Sequence, residues 1–130
     1  MMKKNDLLAL LSLIALILLS IHLPDDYVHG FDKHVVDSPY PILIFVVWAG
    51  GLLLARERLI GRIILLLGGL VAIGMPVLHL NGHFRPEFAT SDGALRFLWI
   101  LYALGTTGAL IVILALKELV SRSPSPPSRT

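Results

Sequence analysis

The 130-residue sequence contains no cysteine. This absence excludes disulfide bonds, thiolate metal ligands and cysteine nucleophiles together. It also removes the usual sequence signal of the redox compartment in which a protein works. Any metal site in this chain would therefore use histidine, carboxylate or thioether ligands.

Charged residues are also scarce. They make up 15% of the chain, whereas a soluble domain typically carries about 25%. Hydrophobic residues make up 55%, so a water-soluble fold would expose the large apolar patches that soluble monomers avoid. The composition therefore predicts a small single-domain protein whose solvent is a lipid bilayer.

The net charge of +2 does not by itself indicate an anionic partner. The basic residues lie beside apolar runs and do not form a continuous patch, which a nucleic-acid surface would require. We interpret these residues as signals of membrane topology and expect no nucleic-acid partner.

Four apolar runs are long enough to be membrane-spanning helices, which need about 17 to 25 residues. They cover approximately residues 7–23, 39–55, 59–80 and 94–116. The sequence thus predicts an all-α membrane four-helix bundle, up-down-up-down, over residues 1–120. Residues 121–130 are rich in proline and serine and are predicted to form a disordered tail. Arg62 and Arg96 lie one turn inside their spans, where a long side chain can carry its guanidinium back to the interface.

The distribution of charge predicts that both termini are cytoplasmic, because short cytoplasmic loops retain Lys and Arg. With the amino terminus inside, most cations are cytoplasmic: Lys3, Lys4, Arg56, Arg58, Arg62, Lys117, Arg122 and Arg129. Lys33, Arg85 and Arg96 are then outside, together with most of the acids: Asp25, Asp26, Asp32, Asp37, Glu87 and Asp92. We expect a cell membrane location with this orientation.

The first span has an alternative interpretation. Lys3 and Lys4 precede a leucine-rich stretch, as they would in a cleavable secretory signal. No small-residue cleavage site of the A-x-A kind follows the stretch, so the sequence favours a permanent span.

Small residues are frequent in the last three spans and predict close helix packing, since helices in lipid gain little from hydrophobic burial against each other. Gly68 with Ala72, and Gly105 with Ala109, are small-xxx-small pairs. We interpret them as contacts within the bundle. The alternatives are the interface of a homo-oligomer or a surface that binds a larger membrane complex.

Histidine and aspartate residues gather at the predicted outer face. The candidate metal ligands are His22, Asp25, Asp26, His29, His79 and His83. On a continuous helix, residues three, four and seven apart share a face, which applies to the first four of these and also to the last two. The first and third spans both run outward, so the two groups reach the same membrane depth. Imidazole and carboxylate groups together suit zinc, copper or iron.

Other features of the sequence bear on this cluster. Pro24 could end the first helix directly after His22, and Gly82 could end the third before His83. Met75 lies one turn before His79, where a thioether would favour copper(I). The cluster is also compatible with an interfacial polar belt that binds headgroups and water, or with a metal-free proton relay. His34 has no spacing relation to the other histidines.

The segment from His22 to Asp26 (HLPDD), followed by Gly30 and three further spans, resembles a group of small four-span bacterial membrane proteins. A glycine-containing last span around Trp99, Leu104 and Gly105 adds to the resemblance. The resemblance implies a bacterial inner membrane and no particular activity.

The sequence is compatible with two functions. The first is a membrane protein that binds a transition metal, zinc or copper, for metal handling or for chemistry on a lipid or small molecule. Chemistry would need a base, for which Asp25 and Asp26 are the candidates. The second is a non-catalytic subunit or scaffold, in which the cluster is only a polar belt. An ion path is disfavoured, because the spans contain no charged residue near mid-membrane.

Overall fold

The computed structural model describes residues 4–29, 38–54, 57–81 and 92–121. These residues form four α-helices, α1 (Lys4–His29), α2 (Tyr40–Leu54), α3 (Leu59–Leu80) and α4 (Asp92–Ser121), and the described part of the chain contains no strand. The all-α helical fold predicted from hydropathy is confirmed. Apart from Ser121, which ends α4, the predicted tail lies outside the described residues.

Three of the helices are long and apolar enough to cross a membrane, at Asp6–Val28, Leu59–Leu80 and Gly93–Ser121. The protein is therefore a membrane protein. Helix α2 has 15 residues, and at 1.5 Å per residue it is about 22 Å long, against a hydrocarbon core of about 30 Å. A full crossing by α2 stays a prediction, as does the side of the membrane on which each terminus lies.

The first helix extends beyond its predicted end. It continues through Pro24 to His29, so the proline does not stop the helix after His22. Proline is tolerated within membrane helices because neighbouring groups compensate for the lost backbone hydrogen bond. The extension adds more than one turn after His22 and keeps Asp25 and Asp26 on the same helix as this histidine.

Helices α3 and α4 pack in opposite directions through small residues. A Cβ placed on Gly108 would lie 2.7 Å from the Ala72 Cβ and 2.7 Å from the Gly69 carbonyl oxygen. One on Gly105 would lie 2.7 Å from the Pro76 Cγ. Contacts this close leave no room for a side chain, so the two backbones approach each other directly. Of the small residues predicted to mediate packing within the bundle, Ala72 and Gly105 do so at this interface.

Helix α2 packs on α3 through a tryptophan. The buried Trp48 ring lies directly against Gly68, and Gly51 lies against the side chain of Ile64. These two contacts show that α2 and α3 also run in opposite directions. Trp99 on α4 is 70% exposed, so it faces the surroundings of the bundle.

A buried ion pair joins α3 to α4 at one end of the bundle. Arg62 Nε lies 3.4 Å from Glu118 Oε2, and the Arg62 side chain is 1% exposed. The prediction that Arg62 extends to the headgroup region is therefore wrong. Its guanidinium turns into the bundle, because the last turns of α4 bring a carboxylate to the same level.

Candidate metal centre

The opposite end of the bundle holds two histidines and an aspartate, all buried. His22 and Asp26 lie one turn apart on α1 and are each 1% exposed, and His79 near the end of α3 is 3% exposed. Residues four apart on a helix share a face, and this face of α1 points into the bundle. Buried charged or polar groups are costly unless they find partners, so the three side chains meet.

Their geometry converges on one carboxylate oxygen. Asp26 Oδ2 lies 3.3 Å from His79 Nε2 and 4.0 Å from His22 Nε2. One ligand atom from each of the three residues lies within 4.8 Å of the other two. The three side chains are therefore close enough to hold a metal ion together. We refer to His22, Asp26 and His79 as the triad.

A backbone hydrogen bond orients the His79 ring. Its Nδ1 lies 2.9 Å from the carbonyl oxygen of Met75, and since a carbonyl oxygen only accepts, Nδ1 must carry the proton and donate it. In the neutral ring Nε2 is then an unprotonated acceptor that faces the Asp26 carboxylate. Two acceptors 3.3 Å apart repel each other unless a proton or a metal ion lies between them. Metal-binding histidines commonly donate their other ring nitrogen in this way.

Two further atoms of the triad are buried without a hydrogen-bond partner among the described residues. They are His22 Nδ1 and Asp26 Oδ1. A buried polar atom that makes no hydrogen bond costs about 1 to 3 kcal/mol, so each such atom in a native structure requires an explanation. A bound metal ion would explain such an atom where the ion binds that atom directly, through a lone pair of His22 Nδ1 or Asp26 Oδ1.

An aromatic ring from α4 covers both imidazoles. Phe97 is fully buried, and its centroid lies 4.7 Å from that of His22 and 5.4 Å from that of His79. The two imidazole centroids are 5.1 Å apart. Phe97 thus provides a low-dielectric wall, which strengthens any charge interaction within the triad. No spacing pattern in the sequence pointed to this residue.

The remaining predicted ligands are not in the triad. Asp25 accepts hydrogen bonds from Arg96 Nε at 3.2 Å and from Arg96 Nη2 at 2.7 Å. Successive helical residues point about 100° apart, so while Asp26 faces His79 on α3, Asp25 faces Arg96 on α4. His29 ends α1, and its side chain lies outside the described residues, as does all of His83.

The ligand set indicates which metals the triad suits. Two imidazoles and one carboxylate form the three-ligand pattern of catalytic zinc sites and of non-haem iron(II) sites, whereas structural zinc sites have four protein ligands. Copper(I) prefers thiolate or thioether ligands. The Met75 side chain packs against Phe97 and Leu101, and the contact of Met75 with His79 is through its backbone carbonyl. The described residues therefore favour zinc over copper(I).

Comparison with protein-family models, with curated proteins and with solved structures finds no match for this chain.

Proposed function

We propose that this membrane protein binds one divalent transition metal ion, zinc in the first place, through His22, Asp26 and His79. The observation that carries the proposal is the 3.3 Å approach of Asp26 Oδ2 to His79 Nε2, in a ring whose other nitrogen donates to the Met75 carbonyl. That arrangement needs a positive charge between the two atoms. A zinc ion supplies the charge and also binds the unprotonated ring nitrogen of His22.

Burial supports this proposal over an interfacial polar belt. A belt residue reaches headgroups and water, as the exposed Tyr27 and Tyr40 side chains can. The triad residues are at most 3% exposed and lie beneath Phe97. Their placement supports a bound ion within the protein.

The glycine contacts bear on the scaffold alternative. Gly105 and Gly108 are occupied by α3 of the same chain, so these positions already serve the fold of a single chain. We propose further that the triad lies at the extracytoplasmic face of a bacterial inner membrane, with both termini in the cytoplasm. The positions of the cations support this orientation.

Three protein ligands leave a coordination position on zinc for water or another ligand. Zinc lowers the pKa of a bound water and polarises carbonyl or phosphoryl oxygens. The chain's own residues would hold the ion and orient His79 through Met75. The same centre would equally serve to hold zinc for transfer to another site.

Metal analysis of the detergent-purified protein tests the proposal. The wild type is stripped with a chelator, reloaded with zinc and desalted, beside His22→Ala, Asp26→Asn and His79→Ala. His34→Ala is the control, because His34 has no spacing relation to the triad residues. We expect about one zinc ion per chain in the wild type and the control, and far less in the three variants. Substoichiometric zinc in every sample would overturn the proposal in favour of a proton shared within the triad.

A further inference from the structure

The triad joins two helices that are held in register by a third. His22 and Asp26 come from α1 and His79 comes from α3, and α4 packs against both helices. The distance between Asp26 and His79 therefore depends on the positions of α1 and α3 on α4. A residue that fixes either position can control the metal site without contacting the metal.

The position of α3 on α4 is fixed by backbone contacts close to the triad. Pro76 lies three residues before His79 and packs against Gly105, and Ala72 packs against Gly108 one turn further away. These contacts involve proline, alanine and glycine, which have little or no side-chain freedom. The position of His79 relative to α4 is thus determined by the packing itself.

The position of α1 on α4 is fixed at the level of the triad by a polar contact, unlike that of α3. Arg96 binds both oxygens of the Asp25 carboxylate, with Nη2 to Oδ1 at 2.7 Å and Nε to Oδ2 at 3.2 Å. The Asp25 side chain is 14% exposed and that of Arg96 is 58% exposed. A two-point contact between a guanidinium and a carboxylate fixes orientation as well as distance.

Each residue of the ion pair directly precedes a residue of the metal site on its own helix. Asp25 precedes Asp26 on α1, and Arg96 precedes Phe97 on α4. A shift or rotation of α1 that breaks the Asp25–Arg96 contact would therefore also move Asp26 away from His79 and His22 away from the Phe97 ring. One peptide bond links Asp25 to Asp26, and another links Arg96 to Phe97. A movement that changes the ion pair therefore also changes the geometry of the triad.

We infer that Arg96 is a positioning residue for the metal centre, acting through Asp25 to hold α1 where Asp26 and His79 can bind the same ion. The inference rests on the proposed zinc site. It also gives Asp25, which the sequence suggested as a ligand, a role outside the coordination sphere.

The test measures zinc affinity by competition with a chelating indicator in detergent. The variants are Arg96→Ala, Arg96→Lys and Asp25→Asn, and Arg58→Ala is the control, since Arg58 is an exposed arginine before α3. Removing a group that supports metal ligands typically weakens binding 10- to 100-fold. We expect about a tenfold higher Kd for Arg96→Ala and Asp25→Asn, at the lower end of that range. Lysine offers a single-point contact, so Arg96→Lys should lie between Arg96→Ala and the wild type.

Two further measurements separate positioning from general destabilisation. The double variant Asp25→Arg/Arg96→Asp reverses the pair and should bring the Kd back towards the wild-type value. The visible spectrum of the cobalt(II)-loaded protein should change in Arg96→Ala and return in the double variant, because it reports the geometry around the ion. Melting of the metal-free protein should differ little between Arg96→Ala and Arg58→Ala.

The outcomes distinguish the two proposals. A wild type that fails to bind zinc refutes the metal site itself. Tight zinc binding by the wild type, with the same Kd and cobalt spectrum in Arg96→Ala, refutes the positioning role and leaves the metal site standing. An equal loss of affinity in Arg58→Ala would also refute it, because the effect would then come from net charge.

Discussion

Replacing Glu118 with leucine should destabilise the bundle strongly. The change leaves the Arg62 guanidinium buried, at 1% exposure, without the carboxylate that lies 3.4 Å from its Nε. None of the three guanidinium nitrogens has a hydrogen-bond partner among the described residues, so little else there compensates the charge. Removing one member of a buried ion pair costs about 3 to 5 kcal/mol. At 1.4 kcal/mol per factor of ten, the folding equilibrium should fall by roughly a hundredfold to several thousandfold.

The assay is reversible unfolding in mixed detergent micelles, followed by circular dichroism, for the wild type and Glu118→Leu. The double variant Arg62→Met/Glu118→Leu should recover most of the lost stability, because replacing a whole buried ion pair with apolar groups is often neutral or stabilising. Arg58→Met removes an exposed arginine near the same end of α3 and should change stability by less than about 0.5 kcal/mol. A cost below about 1 kcal/mol for Glu118→Leu, the value of an exposed pair, would refute the burial of this contact.

Three further predictions concern packing and metal. Gly108→Ala should lower the free energy of unfolding by about 1 to 3 kcal/mol through overpacking, whereas Gly50→Ala should be nearly neutral, because a Cβ at Gly50 would meet open space. Melting in detergent measures both variants, and equal effects would contradict the packing of Gly108 against α3. Phe97→Ala should lower the unfolding free energy by about 3 kcal/mol or more, while Trp99→Ala at an exposed position should have little effect. Zinc at a concentration a hundredfold above its Kd should stabilise the wild type by about 2.7 kcal/mol and should leave the stability of His79→Ala unchanged. Equal stabilisation of both proteins would show that zinc binds at another site.

Hydropathy was sufficient to predict the helical fold because lipid imposes one strong constraint on the sequence. A long apolar run in lipid has to be helical to satisfy its backbone, and the predicted runs near residues 59–80 and 94–116 correspond to α3 and α4. The helix ends were less predictable. Helix α1 passes Pro24 and α4 continues to Ser121, since contacts with neighbouring helices decide where a helix stops.

Part of the candidate site was also predictable. The four-residue spacing of His22 and Asp26, and the shared outward direction of the first and third spans, placed His79 at the same level. The spacing could not decide between Asp25 and Asp26, because that choice depends on how α1 is rotated about its axis. An acid at the predicted outer face together with Arg96, a cation expected at the same face, was a signal for the pair that the structure shows.

Other features of the site depend on three-dimensional packing alone. The position of the Phe97 ring over the two imidazoles follows from the crossing of three helices. Arg62 illustrates the same limit at the other end of the bundle. Its position one turn inside the span fitted either a headgroup contact or a buried partner, and only the location of Glu118 decides between them.

X-ray absorption spectroscopy at the zinc edge tests the proposed metal centre most directly. For the zinc-loaded wild type we predict two imidazole nitrogens at about 2.0–2.1 Å and a carboxylate oxygen at about 2.0–2.2 Å, with the scattering of one imidazole lost in His79→Ala. A zinc spectrum without imidazole scattering, or one that is identical in the wild type and His79→Ala, would contradict a centre formed by His22, Asp26 and His79.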